Sequence, residues 1–277
     1  MAVGVDLFVQ FLPSFAFIVL TATGLAIIFG VMGVINLAHG EFIMVGAYAT
    51  TLAYNGAIPL VPIGALPGAA QLPAAMLTGV VLTALFGLFV ERTIISGAIP
   101  NWITERTIGR PVVEPLYDRL LDSMVATWGI SLIMVQLFRN LFGNSLNGIA
   151  IPFGQVNYGN GLSISTYKLV LAVAAVVVLL GLYWVFVRTD YGMRARATIQ
   201  NESMAKSLGV DTERTYMATF AFGSALAGLT GALYAPLRTI VPGMGAGFLV
   251  EAFVAVVVGG ASVVTGTLLA GGLLGFV

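Results

Sequence analysis

Apolar residues in this chain fall in long unbroken runs, not in alternating or amphipathic stripes. The runs lie at 7–35, 42–62, 72–90, 120–142, 167–187, 215–236, 247–261 and 263–277, and they are rich in Ala, Leu, Gly and Val. A membrane barrel would instead show alternating segments of roughly ten residues. Since a helical crossing takes roughly 20 apolar residues, the pattern predicts an all-α integral membrane protein with about eight transmembrane helices, some of them broken. The first run is longer than one crossing, and Gly30, Gly33 and Gly40 near its end mark where a helix can unwind and turn. Two of the last runs are short for a crossing. The final one stops at Val277 without a polar or basic anchor, as expected of a chain that lacks its natural C-terminus.

Composition removes the soluble alternative. With 58% hydrophobic and 9% charged residues, 12 basic and 12 acidic side chains cannot coat a 277-residue soluble core. The absence of cysteine excludes disulfides, thiolate nucleophiles and iron–sulfur ligation. No Lys or Arg precedes Arg92, so a cleavable signal peptide with a basic n-region is not expected.

Charge then gives an orientation. Nine of the 12 basic residues lie in two segments: Arg92, Arg106, Arg110 and Arg119 within 91–119, and Arg188, Arg194, Arg196, Lys206 and Arg214 within 188–214. The positive-inside rule places both segments in the cytoplasm. The intervening 143–166, rich in Gly and Asn, is then external, and three crossings before Arg92 put the N-terminus outside. One transmembrane domain, 1–277, with 188–214 as a cytoplasmic loop inside it, is the expected organisation.

That loop carries a helix signature. Asn201 or Ser203 can cap a short helix, Glu202 suits its N-terminal dipole, and Gly209 is a natural stop after Leu208. Met204, Ala205 and Leu208 fall on one face between Glu202 and Lys206. Such a face either packs against the ends of the membrane helices or docks a cytoplasmic partner.

Polar groups inside the apolar runs are candidates for a translocation path: Asn36, His39 and Glu41 first, then Thr127 and Gln136, then Glu251. His39 and Glu41 have a structural alternative, satisfying the backbone of a broken helix, and Thr127 can bond to its own helix. Trp128 serves packing as readily as contact. Glu251 follows Gly243, Gly245 and Gly247, which suggests a second break. An offset of 205 residues aligns Phe15-Ala-Phe17 with Phe220-Ala-Phe222, Gly40 with Gly245, Val45 with Val250 and Ala47 with Ala252. Transporters often place a site between repeats of this kind, although chance matches are common in a chain so rich in Gly, Ala and Val.

Gly33-Val-Ile-Asn-Leu-Ala-His-Gly-Glu-Phe42, Ala126-Thr-Trp-Gly-Ile-Ser131, Tyr191-Gly-Met-Arg-Ala-Arg-Ala197 with Asn201, Met204, Ala205 and Leu208-Gly209, and Glu251-Ala-Phe with Val258-Gly-Gly260 together resemble permease subunits of branched-chain amino acid ABC importers. The likeness is closest to the LivH-type subunit and its amide and urea relatives, and it covers nearly the whole chain in order. About twenty residues, Ser96 to Pro115, look inserted relative to that pattern. The resemblance implies a subunit of the bacterial inner membrane that forms its path with a second, LivM-type permease. Two cytoplasmic ATP-binding subunits would power it and a periplasmic binding protein would feed it, with no cofactor, metal or nucleic acid involved. It further implies that Gly192 to Gly209, with Arg194, Asn201, Met204, Ala205 and Leu208, is the coupling segment of the ATPase. Independently, no Gly-x-x-x-x-Gly-Lys-Ser/Thr loop occurs in the chain.

Other classes fare less well. An intramembrane enzyme would have to pair Ser14 or Ser131 with the lone His39, and no Gly-x-Ser-x-Gly or His-Glu-x-x-His motif is present. An ATP-independent channel or secondary transporter for a small neutral solute needs no docking helix. Between branched-chain or other neutral amino acids, short amides and urea the sequence does not choose.

Overall fold

The computed structural model describes residues 2–59, 61–108, 114–117, 119–157, 163–260 and 263–276. Helices dominate: α1 (Ala2–Met32), α2 (His39–Tyr54), α3 (Gly68–Val90), α4 (Ala98–Ile108), α5 (Leu120–Phe142), α6 (Thr166–Arg188), α7 (Asp190–Gln200), α8 (Glu202–Ser207), α9 (Thr212–Tyr234), α10 (Gly245–Gly259) and α11 (Val263–Leu274). A π-helical turn, Glu91–Ile95, prolongs α3, and the only sheet among the described residues is a small hairpin of β1 (Gln155–Asn157) and β2 (Ser163–Ser165). The all-α membrane class is as expected.

The number of long crossings is not. Among the described residues, five helices are long and apolar enough to span a bilayer: Leu7–Met32, Gly68–Ile95, Leu120–Phe142, Thr166–Arg188 and Thr212–Tyr234. A sixth is reached if α10 and α11, bent by 109°, count as one broken span. The second apolar run, read as 42–62, folds as α2 of 16 residues, short of the roughly 20 that a crossing takes. Hydropathy alone could not separate a buried half-length helix from a lipid-facing one, because both are apolar throughout.

The largest packed group is α1, α2, α3 and α9. Small residues let these helices touch backbone to backbone. A Cβ on Gly46 would lie 2.3 Å from the Gly228 carbonyl oxygen, and one on Gly24 would lie 2.6 Å from that of Gly223. Without a hydrophobic drive between helices in lipid, such close van der Waals packing is what holds them. Hydrogen bonds add to it, among them that from Thr230 Oγ1 to the Leu20 carbonyl at 2.7 Å. The outer faces of α3, α5 and α6 carry exposed Leu, Val, Phe and Trp, as surfaces facing lipid or a membrane partner must.

The Gly40 and Gly245 matched by the sequence offset touch each other: a Cβ on Gly40 would fall 2.0 Å from the Gly245 carbonyl oxygen. Each lies in the first turn of a short helix, α2 or α10, that follows a long one, α1 or α9, after a brief break. The long helices run antiparallel, since Leu20 meets Thr230 while Gly24 meets Gly223. This is the arrangement of an inverted pair of long-plus-short units.

The bundle has two distinct ends. At one, Tyr117 stacks on Tyr216 with ring centroids 4.7 Å apart and Arg92 points Nη2 at Met217 Sδ, 2.9 Å away, so both basic segments meet there. Tyr117 donates to the buried Glu91 carboxylate at 2.5 Å. Burial first, then that bond and the carboxylate's charge, hold the Tyr117 phenol above its ordinary pKa, so it remains a donor. At the other end, Leu146 N donates to the Ile240 carbonyl (2.9 Å), and the β1–β2 hairpin lies above α6.

Candidate functional site

Three features carry chemistry, and the first is the break between α1 and α2. Gly33, at φ +68°, ends α1, a conformation in which a side chain would be strained. The chain then doubles back through 33–38, so that His39 Nε2 reaches the Thr21 carbonyl at 3.1 Å, well inside α1. Because a carbonyl only accepts, the ring carries its proton on Nε2. Asn36 Oδ1 accepts from Ala38 N at 3.0 Å, closing the turn. Thr127 Oγ1 accepts from Leu37 N at 3.0 Å and donates to Ser123 O at 2.8 Å, so the hydroxyl both bonds its own helix and ties α5 to the break. Irregular backbone at membrane depth must be satisfied by protein or a polar path, and these side chains supply the protein.

Asn36, His39 and Thr127 are fully buried and Glu41 nearly so. Asn36 Nδ2, His39 Nδ1 and Glu41 Oε2 have no hydrogen-bond partner among the described residues. None of these four residues lines the clefts around Arg238 described below. Gln136 is not brought to them. It sits on the exposed face of α5 and donates to Asn140 Oδ1 at 3.1 Å, because the helix turns its polar positions 136 and 140 away from α2. Trp128 is exposed on α5 as well.

Glu251 lies elsewhere, on a group of open clefts at the hairpin end. A cleft of about 460 Å³ is bordered by Phe17, Arg238, Met244, Phe248 and Glu251 among others, and an adjoining one of about 420 Å³ also contains Arg238 and Glu251. A third, of about 360 Å³, joins Arg238 to Lys168 and Tyr234. The Arg238 guanidinium carbon lies 5.4 Å from the Phe17 ring centroid and 6.0 Å from that of Phe248. Sequence reasoning missed Arg238; its signal was a lone arginine between two apolar runs.

The third feature is the elbow of α7 and α8 at the opposite end. Thr189 caps α7 by accepting from Gly192 N, and a Cβ on Gly192 would lie 2.3 Å from the Phe186 carbonyl oxygen, so α7 folds tightly under α6. Asn201 caps α8, accepting from Met204 N at 2.9 Å; Leu208 is its C-cap and Gly209 turns away at φ +85°. A Glu202–Lys206 ion pair of 2.7 Å spans the helix. Met204, Ala205 and Leu208 do not share one face: Ala205 is 3% exposed, against 58% for Met204 and 77% for Leu208. Position 205 packs inward while 204 and 208, a turn apart, project outward; Met193 and Ile199 of α7 are exposed as well. Arg194 is exposed on α7.

Residues 7–277 match the family described as branched-chain amino acid transport system, permease component. The probable branched-chain amino acid transport permease protein LivH of Methanocaldococcus jannaschii is 27% identical over 264 residues, 93% of this chain and 75% of that one. The high-affinity branched-chain amino acid transport system permease protein LivH of Escherichia coli K12 is 28% identical over 92% of this chain and 79% of its own. The corresponding BraD protein of Pseudomonas aeruginosa is 27% identical over the same shares. No solved structure matches. With nearly its full length matched and its long apolar helices in place, the chain belongs to the LivH-type branched-chain amino acid transport permeases, a family of multi-pass membrane proteins.

Proposed function

We propose that this chain is the membrane-spanning subunit of an ATP-driven importer for branched-chain or other neutral amino acids. Its partners are a second, LivM-type permease, two cytoplasmic ATP-binding subunits and a periplasmic binding protein, and it hydrolyses nothing itself. It lies in the inner membrane with 91–119 and 188–214 in the cytoplasm and the N-terminus outside. Support for the orientation comes from the meeting of both basic segments at one end of the bundle.

The observation that carries the proposal is the α7–α8 elbow: two short helices, each capped by its own side chain, which hold Met204 and Leu208 out from the basic end of a permease of this family. An apolar knob exposed on a rigid polar elbow fits a groove in a soluble partner. Closure of an ATPase there would move the elbow as a body and pass the push to α6 and α9, which flank it. Asn36, His39, Glu41 and Thr127 would brace the broken helix beside the path, and Glu251 would face the path's outer mouth. Gln136, turned outward on α5, has no part in this arrangement.

The test is binding and flux. Met204→Asp with Leu208→Asp should leave the chain folded and paired with its permease partner but abolish association with the ATP-binding subunits. Substrate flux through the wild-type chain without ATP or any ATPase would overturn the importer reading in favour of a channel.

A further inference from the structure

We infer that Arg238 and Glu251 form a subsite for the zwitterionic head of an apolar α-amino acid, at the end of the bundle opposite α7 and α8. This rests on the transport reading above and narrows it, since urea and simple amides carry no full charges for such a pair to hold.

The two groups border the same two clefts, of about 460 and 420 Å³, yet no ion pair joins them among the described residues. Clefts of this size take small ligands; the range is roughly 300–1,000 Å³. Opposite charges that share a cavity without meeting leave both with unmet demand, and a ligand bearing a carboxylate and an ammonium satisfies both at once. The guanidinium is positioned beforehand by the Phe17 and Phe248 rings, 5.4 and 6.0 Å away. Its planar fork suits a carboxylate. Glu251 is the only ionisable residue on α10, and its helix neighbours Val250, Phe253 and Val254 are apolar. An exposed carboxylate among lipid-compatible side chains is costly unless it faces water or an opposite charge. Leu237, Met244 and Phe248 line the same cleft and offer apolar surface for a hydrocarbon side chain. Lys168 and Tyr234 stand across the adjoining cleft, so the mouth as a whole favours the carboxylate end first.

The chain's lack of cysteine permits a direct test. A Met244→Cys variant of the full chain, assembled with its partner subunits in lipid nanodiscs, is reacted with a water-soluble methanethiosulfonate. L-Leucine at about twice its dissociation constant leaves about a third of sites free and should slow labelling about threefold. Isovaleramide, which matches the hydrocarbon but lacks both charges, should not slow it at the same concentration. Protection should vanish when Arg238→Gln or Glu251→Gln is added to Met244→Cys; either variant alone suffices if the other fails to assemble. Equal slowing by isovaleramide, protection that survives both substitutions, or no labelling by the aqueous reagent would each overturn the subsite. The reading beneath it is scored separately, by uptake: ATP-dependent flux without leucine protection removes the subsite alone, whereas ATP-independent flux removes the importer.

Discussion

Gly40 has no room for a side chain. A Cβ there would fall 2.0 Å from the Gly245 carbonyl oxygen, and backbone on the far side cannot swing aside as a side chain would. Gly40→Val is therefore expected to cost about 3 kcal/mol, the top of the usual overpacking range, read as a lower midpoint in thermal unfolding of the detergent-solubilised protein. Gly129 is the control: nothing lies within 4 Å of its Cβ position, so Gly129→Ala should be neutral or stabilising by up to about 1 kcal/mol. His39 poses a different question at the same scale. Its ring is fully buried and its bond to the Thr21 carbonyl clamps the returning chain to α1. His39→Ala should destabilise by about 1–3 kcal/mol through the lost bond and the acceptor left behind, and His39→Gln, which restores a donor, should recover part of that. A His39→Ala protein that unfolds like wild type would show that the ring is not a clamp and would return attention to substrate contact.

The helices of the membrane core were legible from apolar runs, and the α8 caps from Asn201 and Gly209, because propensity and tertiary context agree there. What was not legible is which side chains turn where. Ala205 was grouped with Met204 and Leu208 by spacing, but the small residue is the one that fits against the body, leaving the two large ones outside. Gln136 was grouped with the path because it interrupts an apolar run, yet only its helix's rotation decides its neighbours. Likewise α2 shows no length signal of its own, since the apolar pattern continues past Tyr54. The inserted segment in 91–119 offers an element-scale prediction. On α4, Ile99, Trp102 and Ile103 form one stripe and are all exposed, while Asn101 and Thr104 turn toward the protein. That orientation is unfavourable in water and natural at a lipid headgroup boundary, where Trp is favoured. With Trp128 and Trp184 changed to Phe, Trp102 emission should be quenched by nitroxide carried on shallow lipid positions and only weakly by aqueous iodide. Strong iodide quenching with none from lipid would place α4 in water.

Across the whole molecule, charge and topology make one claim about sidedness. The nine basic residues of 91–119 and 188–214 belong to segments that meet through Tyr117–Tyr216 and Arg92–Met217. The other three, Arg139, Lys168 and Arg238, fall at or near the opposite end, where Leu146 pairs with Ile240. Each lysine or arginine moved to the wrong side would oppose insertion, so the nine-to-three division supports the orientation proposed above. The inverted pairing of α1–α2 with α9–α10 adds a constraint, because α1 and α9 run in opposite directions and carry their breaks to a shared point at Gly40 and Gly245. If the elbow faces the cytoplasm, the Arg238–Glu251 clefts face outward, where a solute is delivered. In sealed right-side-out vesicles, a membrane-impermeant maleimide should label Ile151→Cys, exposed near the hairpin, at once. Leu208→Cys, at the most exposed of the elbow's large apolar residues, should react only after permeabilisation. The reverse order would invert the chain, move the clefts to the inside, and leave the elbow with no ATPase to meet.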